Sequence, residues 1–132
     1  MEKTEYIVIM PTYIVMGVKK IKKYYINLNQ YRNWHFHVSN NLKVKYKELV
    51  YSQIKDLNFN KIKLVFTYYK PSKRRVDRAN ILSIHEKFFC DALVESGCIP
   101  DDNDDYIVST HYYSGGLDRE NPRVEIKIIP LD

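Results

Sequence analysis

A chain of 132 residues, 45% of them hydrophobic, can bury a core without disulfide or metal staples, so we expect one domain over residues 1–132. Its net charge of +5 is unevenly divided, because residues 1–75 hold 16 Lys and Arg against 4 Asp and Glu, whereas residues 76–132 hold 5 against 12. The basic half indicates either a polyanionic partner or a solvated lysine surface, and no apolar run approaches the roughly 18 residues that would make a membrane span.

Short β-branched runs open the chain. Residues Glu5–Met10 predict a first strand that ends at Pro11, and Thr12–Val18 predict a partner strand. The charged Glu2 and Lys3 precede the first run, which argues against a signal peptide and for a cytoplasmic protein. Four lysines between residues 19 and 23 then interrupt the apolar pattern.

The segment Asn27–Asn41 has no periodicity and is rich in Asn, His and aromatic residues, which predicts a long loop over the core. One interpretation is an ordinary polar connection with Trp34 and Phe36 as packing anchors. The other is a nucleic-acid surface, where Tyr31 and the same two rings stack on bases and Arg32 meets phosphate.

A first long helix is predicted from a cap at Asn40 or Asn41 to about Leu57. Its apolar residues recur at helical spacing with lysines mostly off that stripe: Leu42, Tyr46, Leu49, Val50 and Ile54. Residues 61–69 alternate and then become wholly apolar, which predicts a central strand.

A second helix is predicted from about Asn80 to Ser96, and Gly97 gives it a conventional end. Its broad apolar face contains Ile81, Ile84, Phe88, Phe89, Ala92 and Leu93. Cys90 and Cys98 match no zinc spacing or disulfide framework and are expected to be reduced thiols. Strands at 106–113 and 123–129, separated by a glycine-containing loop at 114–121, complete an α+β domain with a mixed sheet and the approximate order ββαβαββ.

The stretch between residues 70 and 107 combines cations with carboxylates. Asn80, Lys87 and Asp91 lie on nearly one face of the second helix, and we expect the turn after Gly97 to return an acidic cluster toward Asp77; the cluster is Asp101, Asp102, Asp104 and Asp105. Carboxylates from two places suit a divalent cation, and hard oxygen ligands favour Mg²⁺ or Mn²⁺ against phosphate. The alternatives are a helix cap at Asp77, a hydrogen-bonded acidic turn, and a surface pair of Lys87 with Asp91.

A family resemblance adds to this interpretation. The order of the residues is Arg75, Asp77 and Asn80, then Lys87, then Asp91, Ala92 and Leu93, then Gly97, Asp101 and Asp102. It resembles the RusA-type Holliday-junction resolvases, small Mg²⁺-dependent endonucleases often encoded by phages and prophages. The resemblance covers about residue 26 to the C-terminus.

The resemblance implies a RusA-like fold and a homodimer that resolves four-way DNA junctions by paired nicks. It implies metal-binding acids at Asp77 and Asp102, with Asp101 and Asp91 as further ligands, and a catalytic lysine at Lys87. DNA contacts are expected from Lys73, Arg74, Arg75, Arg32, Tyr31 and Trp34.

One position departs from the family pattern. Ala79 stands where the family has its second acid, and alanine cannot ligate a metal. Compensation would have to come from His85, Glu86, Asp91 or Asp104, with His85 the histidine expected nearest the site. The alternative is a junction-DNA-binding protein without catalysis. A third reading is a protein-binding phage factor whose acidic turn is incidental, which would have no salt-sensitive affinity for DNA.

Overall fold

The computed structural model describes residues 4–131. Glu2 and Lys3, on which the expectation about a signal peptide rests, lie outside this described range. Within it, no helix is long and apolar enough to cross a membrane. The predicted α+β class with a mixed sheet is confirmed. In chain order the elements are β1 (Tyr6–Met10), β2 (Tyr13–Met16), β3 (Lys22–Tyr25), α1 (Leu28–Tyr31), α2 (Phe36–Ile54), β4 (Ile62–Lys70), α3 (Arg78–Glu95), β5 (Ile107–Leu117) and β6 (Arg123–Pro130).

The main sheet has the strand order β1–β6–β4–β5. Strand β4 lies in the interior, antiparallel to β6 and parallel to β5, so the predicted central strand is confirmed. Its buried residues alternate along the strand as Ile62, Leu64, Phe66 and Tyr68, which places one face of the sheet on the core. On β1 the alternate residues Ile7 and Ile9 are exposed, so the opposite face is open there.

A parallel pair of strands requires a crossover, and α3 provides it between β4 and β5. The helix begins beyond the last residue of β4 and returns the chain to the level where β4 starts. Two backbone bonds fix that return, because Cys98 accepts from the Phe59 N–H at 2.7 Å and Tyr106 accepts from the Ile62 N–H at 2.8 Å. The two ends of α3 therefore lie at opposite ends of the sheet.

The predicted loop at 27–41 is wrong, because it contains α1 and the first turns of α2. Asn27 caps α1 by accepting from the Gln30 N–H at 2.8 Å. The cap of α2 is His35, whose Nδ1 accepts from the His37 N–H at 3.3 Å, rather than Asn40 or Asn41. The sequence did not indicate either helix start. A four-residue helix such as α1 is too short to show an apolar period, and the histidine that caps α2 is not among the preferred N-cap residues.

The apolar stripes of the two long helices are mostly confirmed. On α2 the buried residues recur every fourth position as Leu42, Tyr46, Val50 and Ile54, whereas Leu49 is exposed. On α3 every residue of the predicted apolar face is buried, together with Leu82, His85 and Cys90. Gly97 has φ +76 just past the helix, as expected for a glycine stop.

Two predicted boundaries among the strands are wrong. Lys22 and Lys23 do not interrupt the sheet structure but belong to β3, which pairs with β2 in a separate hairpin. The observed order therefore has one strand and one short helix more than ββαβαββ. Strand β5 also continues through the predicted loop to Leu117. Gly115 permits this, because a Cβ there would lie 2.6 Å from Cε1 of the Tyr69 ring.

The β1 edge of the sheet is closed by a side chain. The amide of Gln53, on α2, accepts from the Ile9 N–H at 2.8 Å and donates to the Ile9 carbonyl at 2.9 Å. One side chain thereby replaces a neighbouring strand at this residue, which is one way in which proteins protect an edge from unwanted pairing.

Candidate nucleic-acid interface

A cleft lies where β4 ends and α3 begins. It encloses about 330 Å³, and its walls include Arg74, Arg75, Asp77 and Asn80 together with the base of the β2–β3 hairpin. An adjoining hollow shares Asp77 and Asn80 and adds Arg32. We call these joined hollows the arginine cleft, defined by Arg32, Arg74, Arg75, Asn29, Asp77 and Asn80.

Local chemistry explains why the chain changes direction here. Pro71 follows β4 and cannot donate a ladder hydrogen bond, so the strand ends. Residues 71–77 are exposed and irregular until the Asp77 carboxylate accepts from the Ala79 N–H at 3.0 Å and caps α3. The Asp77 carboxylate thus lies at the positive end of the helix dipole beside the cleft, and the first turn of α3 adds no further acidic residue.

The three arginines of the cleft form no ion pair with an acid among residues 4–131. The ion pairs within residues 4–131 join Lys47 to Glu95, Arg123 to Asp118 and Glu125, and Lys127 to Glu5. Arg32, Arg74 and Arg75 are exposed and take part in none of them. Lys73 is exposed on the same segment but does not line the cleft. Two predicted segments, around 32 and around 74, thus line adjoining hollows in which three arginines outnumber the single carboxylate of Asp77.

Tyr31 and Trp34 are used in packing. Their ring centroids lie 5.8 Å apart, Trp34 meets the Tyr24 ring edge-on at 6.2 Å, and Tyr31 meets Phe88 at 6.1 Å. Both side chains are partly buried against the core. The interpretation of Trp34 as a packing anchor therefore fits better than base stacking, whereas Phe36 is 62% exposed and anchors nothing.

The predicted metal-binding acids do not meet within one chain. Asp77 caps the start of α3, whereas Asp101 and Asp102 follow its end. The 18 residues of α3 rise about 1.5 Å each, which makes the helix roughly 27 Å long. The six residues from Gly97 to Asp102 span five Cα steps and reach at most about 18 Å even when extended, and a backbone bond fixes Cys98 to Phe59, just before β4. The structure therefore gives no support for the expected return of the acidic turn to Asp77.

Asp91 lies nearer to the acidic turn than to the cleft, whereas Lys87 lies near the middle of α3. Burial raises the pKa of the Cys90 thiol to about 12, and the carboxylates of Glu86, Asp102 and Asp91 add to that rise. Asp102 is therefore close to the second half of α3. Lys87 is exposed, and no ion pair joins it to Asp91 among the described residues.

The acidic turn is held by its own side chains. The Asp101 carboxylate accepts from the Asp102 N–H at 2.7 Å and from the Asn103 amide at 3.2 Å, and Asn103 accepts from the Asp105 N–H at 2.9 Å. Such bonds are the ordinary use of Asp and Asn in turns. The interpretation of this cluster as a turn accounts for the geometry without an ion.

His85 is not a neighbour of the cleft. It is fully buried between the long helices, and its Nδ1 shares a 2.8 Å hydrogen bond with the Tyr46 hydroxyl. Its Nε2 has no partner among the described residues. Burial lowers the pKa of His85 to about 3, so the ring is neutral in the folded protein. The two cysteines, Cys90 and Cys98, are free and buried, as predicted.

The predicted metal-binding acids are poorly placed to hold one Mg²⁺ ion together. Asp77 already accepts a backbone hydrogen bond, Ala79 provides no ligand, and the remaining predicted acids lie at the far end of α3. Among residues 4–131, no group of three or more His, Cys, Asp or Glu side chains is arranged to hold a metal ion. The ion that the resemblance implies does not fit a site made by one chain.

Several cleft residues were not predicted. Thr12, Tyr25, Asn27 and Asn29 reach it from the hairpin base and α1. A sequence signal did exist, because no Asp or Glu occurs between Glu5 and Glu48. An acid-free stretch that contains seven lysines and Arg32 marks a continuous positive surface more clearly than any single motif.

The role of Asp77 as a cap gives a specific expectation. Asp77→Ala should reduce the free energy of unfolding by about 1 kcal/mol, because α3 loses its N-cap, whereas Asp77→Asn retains an accepting oxygen and should keep nearly all of it. Urea denaturation of both variants measures the difference. Equal losses in the two variants would show that the charge of Asp77, rather than its capping bond, stabilises the fold.

Comparison of the sequence with protein-family models gave no match, and comparison with curated proteins gave no significant match. The function is therefore argued from the arginine cleft itself.

Proposed function

We propose that this chain is a RusA-like protein that binds branched DNA through the arginine cleft. The observation that carries the proposal is that Arg32 lines one hollow at the start of α3 and that Arg74 and Arg75 line the adjoining one, with none of the three in an ion pair among the described residues. Guanidinium groups and helix N-terminal N–H groups are both phosphate-binding groups. Asn29 and Asn80 add uncharged groups that can contact phosphate or sugar.

The distribution of charge supports a nucleic-acid backbone as the ligand. The acids that follow α3 lie beyond its far end, so Asp77 is the one carboxylate among the described residues that line the cleft. The acid-free stretch between Glu5 and Glu48 extends the positive surface from the cleft to the hairpin. A polyanion would therefore approach the cleft end of the molecule, and each neutralised phosphate would release counterions.

The preference for a branched substrate and the homodimer come from the resemblance. A four-way junction presents equivalent arms, and a dimer with two arginine clefts would engage two of them. The proposal includes binding but no metal-dependent step. Ala79 and the separation of Asp77 from Asp102 favour the junction-binding alternative over a resolvase whose ion is held by one chain.

The test is neutralisation of the cleft. Arg74→Gln with Arg75→Gln should weaken binding to a synthetic four-way junction by about 10–100-fold at 0.1 M salt, and should reduce the slope of log affinity against log salt by about 2. Fluorescence anisotropy over a salt series measures both quantities.

The matched control is Lys55→Gln with Lys61→Gln, which removes the same charge from exposed positions near the opposite end of β4. It should change affinity and salt slope far less than the cleft variant. The proposal fails if the wild-type protein shows no salt-sensitive affinity for DNA, or if the two double variants lose the same affinity.

A further inference from the structure

The β2–β3 hairpin ends in an unusual tip. Its loop, residues 17–21, carries Val18 and Ile21, which are 99% and 73% exposed. Four exposed lysines surround these two apolar side chains: Lys19, Lys20, Lys22 and Lys23. Exposed single apolar residues are common, but two of them at the tip of a lysine-rich hairpin form a small apolar surface within a basic one, which suits a partner that is both apolar and anionic.

The hairpin holds its tip in a defined place. Gly17 has φ +126, and a Cβ there would lie 2.0 Å from the Lys20 carbonyl oxygen, so the turn is tight and requires glycine. At the base, Thr12 accepts from the Ile26 N–H at 2.9 Å, and Tyr24 packs on Trp34. The hairpin is therefore anchored to the body of the protein at its base.

The hairpin is continuous with the arginine cleft. Thr12 and Tyr25, at its base, line the cleft beside Arg74 and Arg75. The four residues of β2 span about 13 Å, so the tip lies roughly that far from the cleft. This distance is less than half of the 34–36 Å helical turn of DNA, and one duplex arm can contact both.

We propose that the hairpin tip is a wedge that inserts Val18 and Ile21 between bases at the branch point of DNA held in the arginine cleft. This inference rests on the proposed DNA binding and adds where the branch is recognised. Apolar side chains of other proteins enter base steps at a cost of a few kcal/mol for unstacking, and that cost is least where the bases are already poorly stacked. Lysines on both sides of the wedge contact the flanking phosphates.

The same tip is too small for a lipid surface to be the better partner. Membrane-bound amphipathic elements bury a broad apolar face, whereas here two side chains are available.

The experiment compares the wild-type protein with a double variant that carries both Val18→Ser and Ile21→Ser and leaves the charge unchanged. Affinity for a four-way junction should fall about 10-fold, while affinity for a linear duplex of the same length should stay within twofold. With 2-aminopurine at the branch point, wild-type protein should raise the fluorescence by unstacking the base, and the variant should not. The control is Leu49→Ser with Val108→Ser, two exposed apolar residues outside the hairpin, which should behave as wild type.

The outcomes separate this proposal from the preceding one. If wild-type protein binds neither DNA, the arginine cleft proposal has failed. If wild type binds the junction and the tip variant binds it equally well with the same 2-aminopurine signal, the wedge is refuted while the cleft stands. Tip-dependent binding to vesicles containing one third phosphatidylserine, without a junction effect, would also refute the wedge. Unchanged thermal unfolding of the variant excludes a folding defect.

Discussion

Acidification from pH 7 to pH 4 should destabilise the wild-type protein by about 3 kcal/mol more than it destabilises His85→Gln. The pKa of His85 is lowered from 6.5 to about 3 by complete burial. The unfolded chain therefore takes up a proton that the folded protein excludes. The stabilisation is fully present above about pH 6.5 and is lost as the pH falls toward 3, by up to about 1.4 kcal/mol per pH unit.

Glutamine at position 85 retains hydrogen-bonding groups for the Tyr46 hydroxyl but does not titrate. The comparison therefore isolates the effect of protonating His85 on the free energy of unfolding. Urea denaturation at pH 7 and at pH 4 gives the free energies of unfolding. Asp118, whose pKa is lowered by its hydrogen bond from Arg123, loses its contribution at low pH in both proteins and cancels in the comparison. A matched control is His37→Gln at an exposed position, which should retain the wild-type dependence. Equal acid losses in wild type and His85→Gln would contradict the assignment.

A four-way junction incubated with this protein and Mg²⁺ or Mn²⁺ should remain uncut while it is bound. The reason is geometric, since Asp77 lies at the start of α3 whereas Asp102 lies beyond its end, beside its second half, and the structure does not bring the two together around one hydrated ion. For the same reason Ala79→Asp, which supplies the acid that the resemblance leads one to expect, should not by itself produce cleavage above background. Gel analysis of a labelled junction measures both, and a gel shift on the same samples confirms binding.

If the junction is cleaved and Asp102→Asn abolishes the cleavage, this expectation is wrong. The active site would then have to combine acids from two chains. A mixing experiment would then identify their source. Chains carrying Asp77→Asn and chains carrying Asp102→Asn are each inactive alone. If each site combines acids from both chains, an equal mixture of the two variants should recover about one quarter of the wild-type nicking. Half of the randomly formed dimers are heterodimers, and each of these has one intact site of two. Sites within single chains would recover none.

Much of the fold follows from apolar spacing. The i, i+4 stripe of α2, the broad apolar face of α3 and the alternation along β4 each predict their element, because burial of one face is what stabilises it. The start of α2 and the whole of α1 were missed, since their caps are an unusual histidine and an asparagine before a four-residue helix. The hairpin was missed because Lys22 and Lys23 hide a strand whose stability comes from its partner.

The candidate site, like the fold, could be predicted only in part. Clustered arginines could be predicted as phosphate contacts from composition, and Arg74 and Arg75 line a hollow that adjoins the one lined by Arg32. The sequence could not decide whether Asp77 and Asp102 converge, since a predicted helix of about 17 residues spans roughly 25 Å but the path of the segment after it cannot be predicted from the sequence. A motif preserves the order of residues along the chain but not the distance between them.

The bond between Gln53 and the backbone of Ile9 bears on how two such molecules could join. It blocks one residue of the β1 edge, so a second chain that extended the sheet would meet less hindrance at β5, the other edge. A symmetric pair joined through β5 would have eight strands and one Gln53 at each outer edge, where these two side chains would disfavour the addition of a third chain.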